Sequence, residues 1–292
     1  MRTVKEVLRR SADYLAEQEV ESPRLDAELL LGKALGLSRP ELYLDSARPL
    51  RPDELDACRA LVVRRGRREP AAYVLGEWGF RRLTLSTDRR ALVPRPETEV
   101  VVERALELIA GLREPRVLDA GTGSGAIALA IADERPDARV LGLDSSADAL
   151  ELARENARRT GLAGRVRFVR GDFRMGLPGG PYELVVSNPP YVSPDELDDL
   201  APEIRLWEPR EALVGGIELV PALAAAAARV LAAGGCLVVE ASELRAGEAA
   251  DELRRAGYRD VAVTADLAGR PRVVEGRLLR VNPLRRPETA GM

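Results

Sequence analysis

Residues 117–126, with the sequence VLDAGTGSGA, decide the fold of this 292-residue chain. Val117 and Leu118 predict a buried strand, and a glycine-rich loop then leads into a helical pattern that begins near Ala126. Glycine allows the backbone to turn sharply and lets a ligand lie against the N–H groups at the start of a helix. This strand–loop–helix unit is typical of a nucleotide-like binding site at the edge of a parallel sheet.

The same pattern repeats along the rest of the chain. The further predicted strands are 139–144, 166–169, 183–186, 236–240, 260–263 and 272–279. The predicted helices are 126–133, 147–160, 220–232 and 246–256. Short apolar strands that alternate with helices favour a parallel sheet covered on both faces, and the last strand, which follows its neighbour without a long helix, is predicted to be antiparallel. We therefore predict an α/β fold with a seven-stranded, mostly parallel sheet.

The sequence before this sheet predicts a helical region and a linker. Apolar residues recur at helical spacing in the first third of the chain. An alternating stretch and a proline-rich end then predict a short β-hairpin. The predicted domains are a small helical N-terminal domain at 1–75, a β-hairpin linker at 76–96, the sheet domain at 97–282 and a polar tail at 283–292.

Composition excludes several classes of enzyme. The chain has no histidine, so Ser-His-Asp and Cys-His nucleophiles, His-ligated zinc and imidazole bases are excluded, and we predict no metal site. A net charge of −3 gives no whole-chain footprint for nucleic acid. Cys58 and Cys236 are predicted to be buried thiols. Because the sequence shows neither a signal-peptide core nor a membrane-spanning run, we predict a cytoplasmic protein.

Two charged stretches are predicted to be solvated. Arginines crowd the end of a helix predicted over 52–66, at positions 64, 65, 67 and 68, where cations suit the helix dipole, with a partner-binding patch as the alternative. An acidic stretch between residues 195 and 203 is interpreted as an exposed helix, with contact to a basic partner surface as the alternative.

Polar residues at the ends of neighbouring strands predict a cofactor site. Asp144 ends the second strand of the sheet about 20 residues after the glycine-rich loop, where it can accept hydrogen bonds from both hydroxyls of a ribose. Asp172 could accept from an adenine amino group, and Phe173 could pack on the ring. Since Gly121 and Gly123 also satisfy a dinucleotide-binding pattern, the loop alone does not exclude NAD.

The tetrapeptide 188–191, Asn-Pro-Pro-Tyr, predicts the reaction centre. It follows the fourth strand of the sheet, which should neighbour the first strand where ligands bind in such folds. The Asn188 side-chain oxygen and the Pro189 carbonyl can each accept an N–H of a planar amide or amine, which favours positive charge on that nitrogen during attack. Prolines stiffen the loop, and Tyr191 can stack on a flat group. Such chemistry needs no general base before attack.

These motifs together resemble those of known methyltransferases. The loop D-x-G-x-G-x-G at 119–125 resembles that of class I S-adenosylmethionine-dependent methyltransferases, and Asn-Pro-Pro-Tyr resembles that of enzymes that methylate amino groups. The stretches 69–77, EPAAYVLGE, and 92–99, LVPRPETE, with Phe80 between them, resemble the linker of the release factor glutamine methyltransferases, the PrmC/HemK family. With the helical N-terminus, the resemblance covers nearly the whole chain.

The resemblance implies a Rossmann-like class I methyltransferase fold and a defined reaction. It implies methyl transfer from S-adenosylmethionine to the side-chain amide nitrogen N5 of the glutamine in the Gly-Gly-Gln motif of class I peptide chain release factors. Residues 1–75 would recognise the substrate, and a monomer without membrane or nucleic-acid partners is expected. The implied catalytic residues are Asn188, Pro189 and Tyr191, and Pro190 joins them in binding the substrate. The implied cofactor-binding residues are Asp119, Gly121, Thr122, Gly123, Ser124, Gly125, Asp144, Asp172, Phe173 and Asn188.

Four alternatives remain open on the sequence. A ribosomal-protein glutamine methyltransferase would share the catalytic loop, but we expect it to have a different N-terminal region. A DNA adenine N6-methyltransferase needs a basic surface and room for a flipped base. An NAD-dependent oxidoreductase usually needs a His or Tyr-Lys pair, and lysine occurs only at Lys5 and Lys33. The fourth alternative is a cofactor-binding module without catalysis.

Overall fold

The structure is a computed structural model that describes residues 2–279. The predicted polar tail, 283–292, and the last three residues of the predicted sheet domain lie outside the described residues. Contacts divide the chain into two compact units. The helical unit comprises Met1–Trp78, Thr87–Arg89 and Asp199–Glu208, and the sheet unit comprises Gly79–Ser86, Arg90–Asp198 and Pro209–Met292.

The described helices and strands follow in chain order. The helices are α1 (Val4–Glu17), α2 (Pro23–Leu35), α3 (Arg39–Leu44), α4 (Pro52–Gly66), α5 (Ala71–Leu75), α6 (Thr98–Leu108), α7 (Ala126–Glu134), α8 (Ala147–Arg159), α9 (Pro202–Trp207), α10 (Arg210–Leu213), α11 (Leu219–Val230) and α12 (Ala246–Arg255). The strands are β1 (Glu77–Phe80), β2 (Leu83–Ser86), β3 (Arg116–Ala120), β4 (Arg139–Asp144), β5 (Val166–Arg170), β6 (Tyr182–Ser187), β7 (Leu231–Glu240), β8 (Arg259–Ala265) and β9 (Pro271–Arg277).

The sheet unit contains the predicted seven-stranded sheet, in the order β5-β4-β3-β6-β7-β9-β8. Pairs among β3 to β7 are parallel, and β9 is antiparallel to both of its neighbours. Alternate residues of β6 face opposite sides: Leu184 and Val186 pack into one apolar core, and Val185 packs into the other. Both faces are therefore covered, as a parallel sheet requires. The predicted fold is confirmed, and β3 and β6 are neighbours at its centre.

One boundary prediction is wrong. The alanine-rich helix α11 ends at Val230, and β7 begins at Leu231, five residues before the predicted strand. Alanine and leucine favour a helix locally, so the sequence pattern extends the helix to residue 232. Leu231 pairs with Tyr182 of β6 instead, and this tertiary contact decides where the helix ends.

Within the helical unit, two of the four arginines near the end of α4 are not solvated as predicted. Arg65 is only 6% exposed, and its guanidinium donates to Asp26 Oδ2 at 2.6 Å and to Glu203 Oε1 at 2.9 Å. Arg68 donates to both carboxylate oxygens of Glu203, at 2.8 and 2.7 Å. The solvated interpretation is thus wrong for both arginines and for Glu203. Partners 138 residues apart leave no local signal, which explains the error.

Candidate active site

The glycine-rich loop joins the end of β3 to the start of α7 in the predicted way. Gly121, Gly123 and Gly125 have φ of +79°, +54° and +84°, in the left-handed region that favours glycine. The N–H of Gly121 donates to the Leu143 carbonyl at 2.8 Å. The N–H of Gly123 donates to Asp144 Oδ2, also at 2.8 Å. The loop is therefore fastened to the end of β4, beside the predicted ribose-binding carboxylate.

Asp119 lies under this loop and is completely buried. Its Oδ2 accepts from Thr122 Oγ1 at 2.6 Å and from the Ala128 N–H at 3.1 Å. Its Oδ1 is a buried side-chain atom that has no hydrogen-bond partner within residues 2–279. Burial raises the pKa of Asp119 to about 7. The carboxyl group therefore supports the loop and retains an unused acceptor.

A pocket of about 270 Å³ lies at the carboxyl edge of the sheet, within the sheet unit. This volume is close to the ~300 Å³ at which small-ligand pockets begin. Of the predicted site residues, those that line it are Gly121, Thr122, Gly123, Ser124, Asp144, Asp172, Phe173, Asn188 and Pro190. Asp119, Gly125, Pro189 and Tyr191 are not on its wall. Residues that we did not predict also line it, from the segments 90–95 and 209–214.

The two predicted aspartates of the pocket differ in their partners. Asp144 accepts backbone N–H groups of Gly123 and Ser146 at 2.8 and 2.9 Å, and burial raises its pKa. Asp172 is held instead by the Arg174 guanidinium, which donates to Oδ2 at 2.5 Å and lowers the pKa of Asp172. Asp144 is thus fixed by the loop itself, whereas Asp172 shares its oxygens with a neighbouring cation.

The tetrapeptide 188–191 follows β6, which pairs in parallel with β3, the strand that leads into the glycine-rich loop. Ser187 Oγ donates to the Ala120 carbonyl at 2.5 Å, which ties the ends of the two strands together. A Cβ at Gly215 would lie 2.2 Å from the Pro190 carbonyl oxygen, so only glycine fits against this turn. Burial raises the pKa of Tyr191 to about 12, so its hydroxyl stays protonated at neutral pH. The segment 188–191 is therefore tightly positioned.

Two polar residues behind Asn188 were missed as site residues. Asn188 Nδ2 donates to Thr98 Oγ1 at 3.3 Å, and Thr98 Oγ1 donates to Glu240 Oε2 at 2.7 Å. Thr98 is 4% exposed and Glu240 1% exposed. The sequence indicates in part where these residues lie, because Glu240 ends a parallel strand at the pocket edge and Thr98 belongs to the quoted motif at 92–99. The sequence does not indicate that the two side chains, 142 residues apart, form a hydrogen bond.

Comparison with known proteins agrees with this architecture. Residues 6–76 match the family described as the PrmC N-terminal domain, and residues 98–216 match the methyltransferase small domain. A release factor glutamine methyltransferase of Chlorobaculum tepidum is 44% identical over 277 residues, covering 90% of this chain and 93% of that protein. The chain belongs to the release factor glutamine methyltransferases.

Two further comparisons concern a second relative and a solved structure. A release factor glutamine methyltransferase of Geobacter sulfurreducens is 42% identical over 282 residues, covering 94% of this chain and 97% of that protein. Among solved structures, the hMettl16 catalytic domain in complex with the MAT2A 3′UTR hairpin 6 has a TM-score of 0.56 at 14% identity, covering 68% of this chain and 76% of that one. That likeness concerns the fold alone. Within residues 2–279, no helix is both long and apolar enough to cross a membrane.

Proposed function

We propose that this protein transfers a methyl group from S-adenosylmethionine to N5 of the glutamine in the Gly-Gly-Gln motif of class I peptide chain release factors. The observation that carries the proposal is the hydrogen bonding of the Asn188 side chain, which lies on the pocket wall. Its Nδ2 is held by Thr98, and its Oδ1 makes no hydrogen bond within the described residues. An acceptor held beside a cofactor-type loop suits a substrate whose reacting atom is an amide nitrogen.

The residues of the pocket fit S-adenosylmethionine by their chemistry. Asp144 offers a carboxylate for ribose hydroxyls, and Phe173 offers a ring face for adenine. Asp119 lies behind the wall, where its carboxyl accepts from Thr122 Oγ1 and the Ala128 N–H and so would support the loop against which the cofactor lies. When bound, S-adenosylmethionine supplies an electrophilic methyl group on its sulfonium centre.

The chain's own residues would orient and polarise the substrate amide. Asn188 Oδ1 and the Pro189 carbonyl each accept one N–H of the glutamine side chain. Two fixed acceptors favour the positive charge that develops on the nitrogen during attack. Prolines at 189 and 190 limit loop motion, so the acceptors are in place before the substrate arrives. The proton can leave after attack, which is consistent with a chain that has no histidine.

Several assignments from the sequence belong to the same proposal. We assign substrate recognition to the predicted domain 1–75, joined through the predicted linker 76–96 to the catalytic domain 97–282. The proposed partners are class I release factors, and the proposed location is the cytoplasm, where these factors act. The remaining site residues implied by the resemblance, Pro190 and Tyr191 among them, keep their proposed roles in contacting the glutamine.

The test is methylation of defined substrates with labelled S-adenosylmethionine. Unmodified release factor is compared with a factor whose Gly-Gly-Gln glutamine is changed to alanine, with ribosomal protein and with adenine-containing DNA. We expect label in the unmodified factor only. Label that persists in the altered factor, or that enters only ribosomal protein or DNA, would overturn the proposal. Cofactor binding without transfer to any of them would indicate a non-catalytic module.

A further inference from the structure

A hydrogen-bond chain of three side chains runs from the pocket wall into the core of the sheet unit. It starts at Asn188, passes through Thr98 at the first turn of α6 and ends at Glu240, the last residue of β7. Within residues 2–279, no arginine lies within ion-pair distance of Glu240, and the Thr98 hydroxyl is its hydrogen-bond donor. The chain therefore joins the proposed reaction centre to a buried acid that the mechanism above does not use.

The carboxylate of Glu240 sets the direction of both hydrogen bonds that join Asn188, Thr98 and Glu240. An ionised carboxylate can only accept hydrogen bonds, so the single hydroxyl hydrogen of Thr98 must point to Glu240. Thr98 Oγ1 then presents a lone pair to Asn188, which only the NH₂ group of the amide can satisfy. An asparagine amide has two orientations of nearly equal shape, and hydrogen bonding decides between them. Here the hydrogen bond from Nδ2 to Thr98 Oγ1 leaves Oδ1 as the free acceptor of Asn188.

We propose that Glu240 is a positioning residue that acts through Thr98 to hold the Asn188 amide with its oxygen toward the substrate. This inference rests on the proposed function, because it assigns a reason for the amide orientation that glutamine methylation requires. A reversed amide would offer NH₂ to a substrate that is itself a donor. Two donors cannot share a hydrogen bond, so the reversed state would be unproductive.

The buried carboxyl also makes this positioning depend on pH. Burial raises the pKa of Glu240 to about 7, while the Thr98 hydrogen bond and the nearby charges of Arg272 and Arg95 lower it and Glu97 raises it. Below that pKa, a protonated Glu240 can donate to Thr98, and the direction of the chain is no longer defined. The methylation rate should therefore rise with pH through the pKa of this group.

The decisive experiment compares Thr98→Val, Thr98→Ser and Glu240→Gln in methylation of release factor. Valine keeps the shape of threonine but removes the hydroxyl, serine restores the hydroxyl, and glutamine can donate as well as accept. We expect kcat to fall about 10- to 100-fold in Thr98→Val and Glu240→Gln, which corresponds to roughly 1.4 to 3 kcal/mol. For Glu240→Gln we expect cofactor Kd and substrate KM to stay within about threefold of wild type, since Glu240 does not line the pocket; Thr98 does line it, so Thr98→Val is judged by its kcat against that of Thr98→Ser. Thr98→Ser should recover most of the activity lost in Thr98→Val.

Two further measurements separate positioning from a structural role. The double variant Thr98→Val/Glu240→Gln should lose no more than either single variant, because both break one chain. The rise of kcat with pH near neutrality should disappear in Glu240→Gln. Additive losses, a retained pH limb or a folded Thr98→Val with wild-type kcat would overturn the inference. If Glu240→Gln does not fold, the comparison of kcat between Thr98→Val and Thr98→Ser tests the inference by itself. A wild type that does not methylate release factor would overturn the proposed function instead.

Discussion

Buried acids in two regions of this molecule are stabilised in opposite ways. In the helical unit, burial alone would raise the pKa of Glu28, but hydrogen bonds from Tyr43, Arg24 and Arg39 lower it to about 2. At the sheet edge, Asp119 and Glu240 have hydroxyl or backbone donors and no arginine within ion-pair distance in the described part of the chain.

The difference separates acids that support the fold from acids to which we assign a role at the proposed site. Burial raises the pKa of both Asp119 and Glu240 to about 7, so each is costly to ionise without a ligand or a fixed donor chain. Glu203 of the helical unit shows the contrary case: burial opposes its ionisation, but hydrogen bonds from Arg68 and Arg65 lower its pKa. In the helical unit, arginine pairing stabilises the ionised acid, whereas Asp119 and Glu240, which have no such partner in the described residues, can respond to a ligand or to pH.

The largest effect is expected from removing the buried arginine Arg65 of the helical unit. Arg65→Met leaves the carboxylate of Asp26 without a cation and weakens the pairing of Glu203, so we expect a loss of ~3–5 kcal/mol in the free energy of unfolding. Urea unfolding followed by tryptophan fluorescence measures it, since Trp78 and Trp207 both belong to this unit. The matched control is Arg59→Met on the same helix, whose exposed pair with Asp56 should contribute less than ~1 kcal/mol. Equal losses of unfolding free energy in Arg65→Met and Arg59→Met would contradict the structural role given to buried arginine pairing.

On the site side, the strongest effect is expected at Asn188. Asn188→Ala removes one preorganised acceptor, so we expect kcat to fall about 100- to 1,000-fold. Cofactor affinity, measured by calorimetry, should change by less than about tenfold, or ~1.4 kcal/mol, because the loop and Asp144 remain. Unchanged turnover would refute the role given to Asn188.

A smaller effect concerns the pH dependence of stability. The folded pKa of Asp119 is raised above the unfolded value of 3.8, so the folded state binds more protons and stability falls as pH rises toward about 7. Between about pH 5 and pH 7 this group should remove ~2 kcal/mol from the free energy of unfolding of the cofactor-free protein. Glu240 acts in the same direction, so Asp119→Asn should keep about half of the slope. If the free energy of unfolding of Asp119→Asn falls with pH as steeply as that of wild type, Asp119 is not an acid with a raised pKa.

The smallest effect is expected where a pocket acid does have an arginine partner. Arg174 is exposed, so Arg174→Ala should change the free energy of unfolding by less than ~1 kcal/mol. It also frees Asp172, and if that acid accepts from adenine, cofactor binding should tighten by about threefold, less than ~1 kcal/mol. Arg174→Lys, which keeps the positive charge, is the control. Weaker cofactor binding in Arg174→Ala would argue against the adenine role of Asp172.

The amino-acid sequence by itself determined the sheet, the position of the pocket and part of its lining. Alternating strands and helices imply parallel strands, and parallel strands bring their carboxyl ends to one edge. The residues that follow β3, β4, β5 and β6 therefore had to meet there, and Gly121, Asp144, Phe173 and Asn188 do line one pocket. Such residues are predictable because each is fixed by its position relative to its own strand.

Only the tertiary structure decided which buried acids are paired and with what. Glu203 reaches Arg65 across 138 residues and Thr98 reaches Glu240 across 142, and nothing in the local pattern of either member names its partner. An acid in the sequence is simply a polar residue, and exposure is its usual state. Packing determines whether it meets an arginine, a hydroxyl or water. That choice sets its pKa and separates an acid that stabilises the fold from one that holds Asn188 in place.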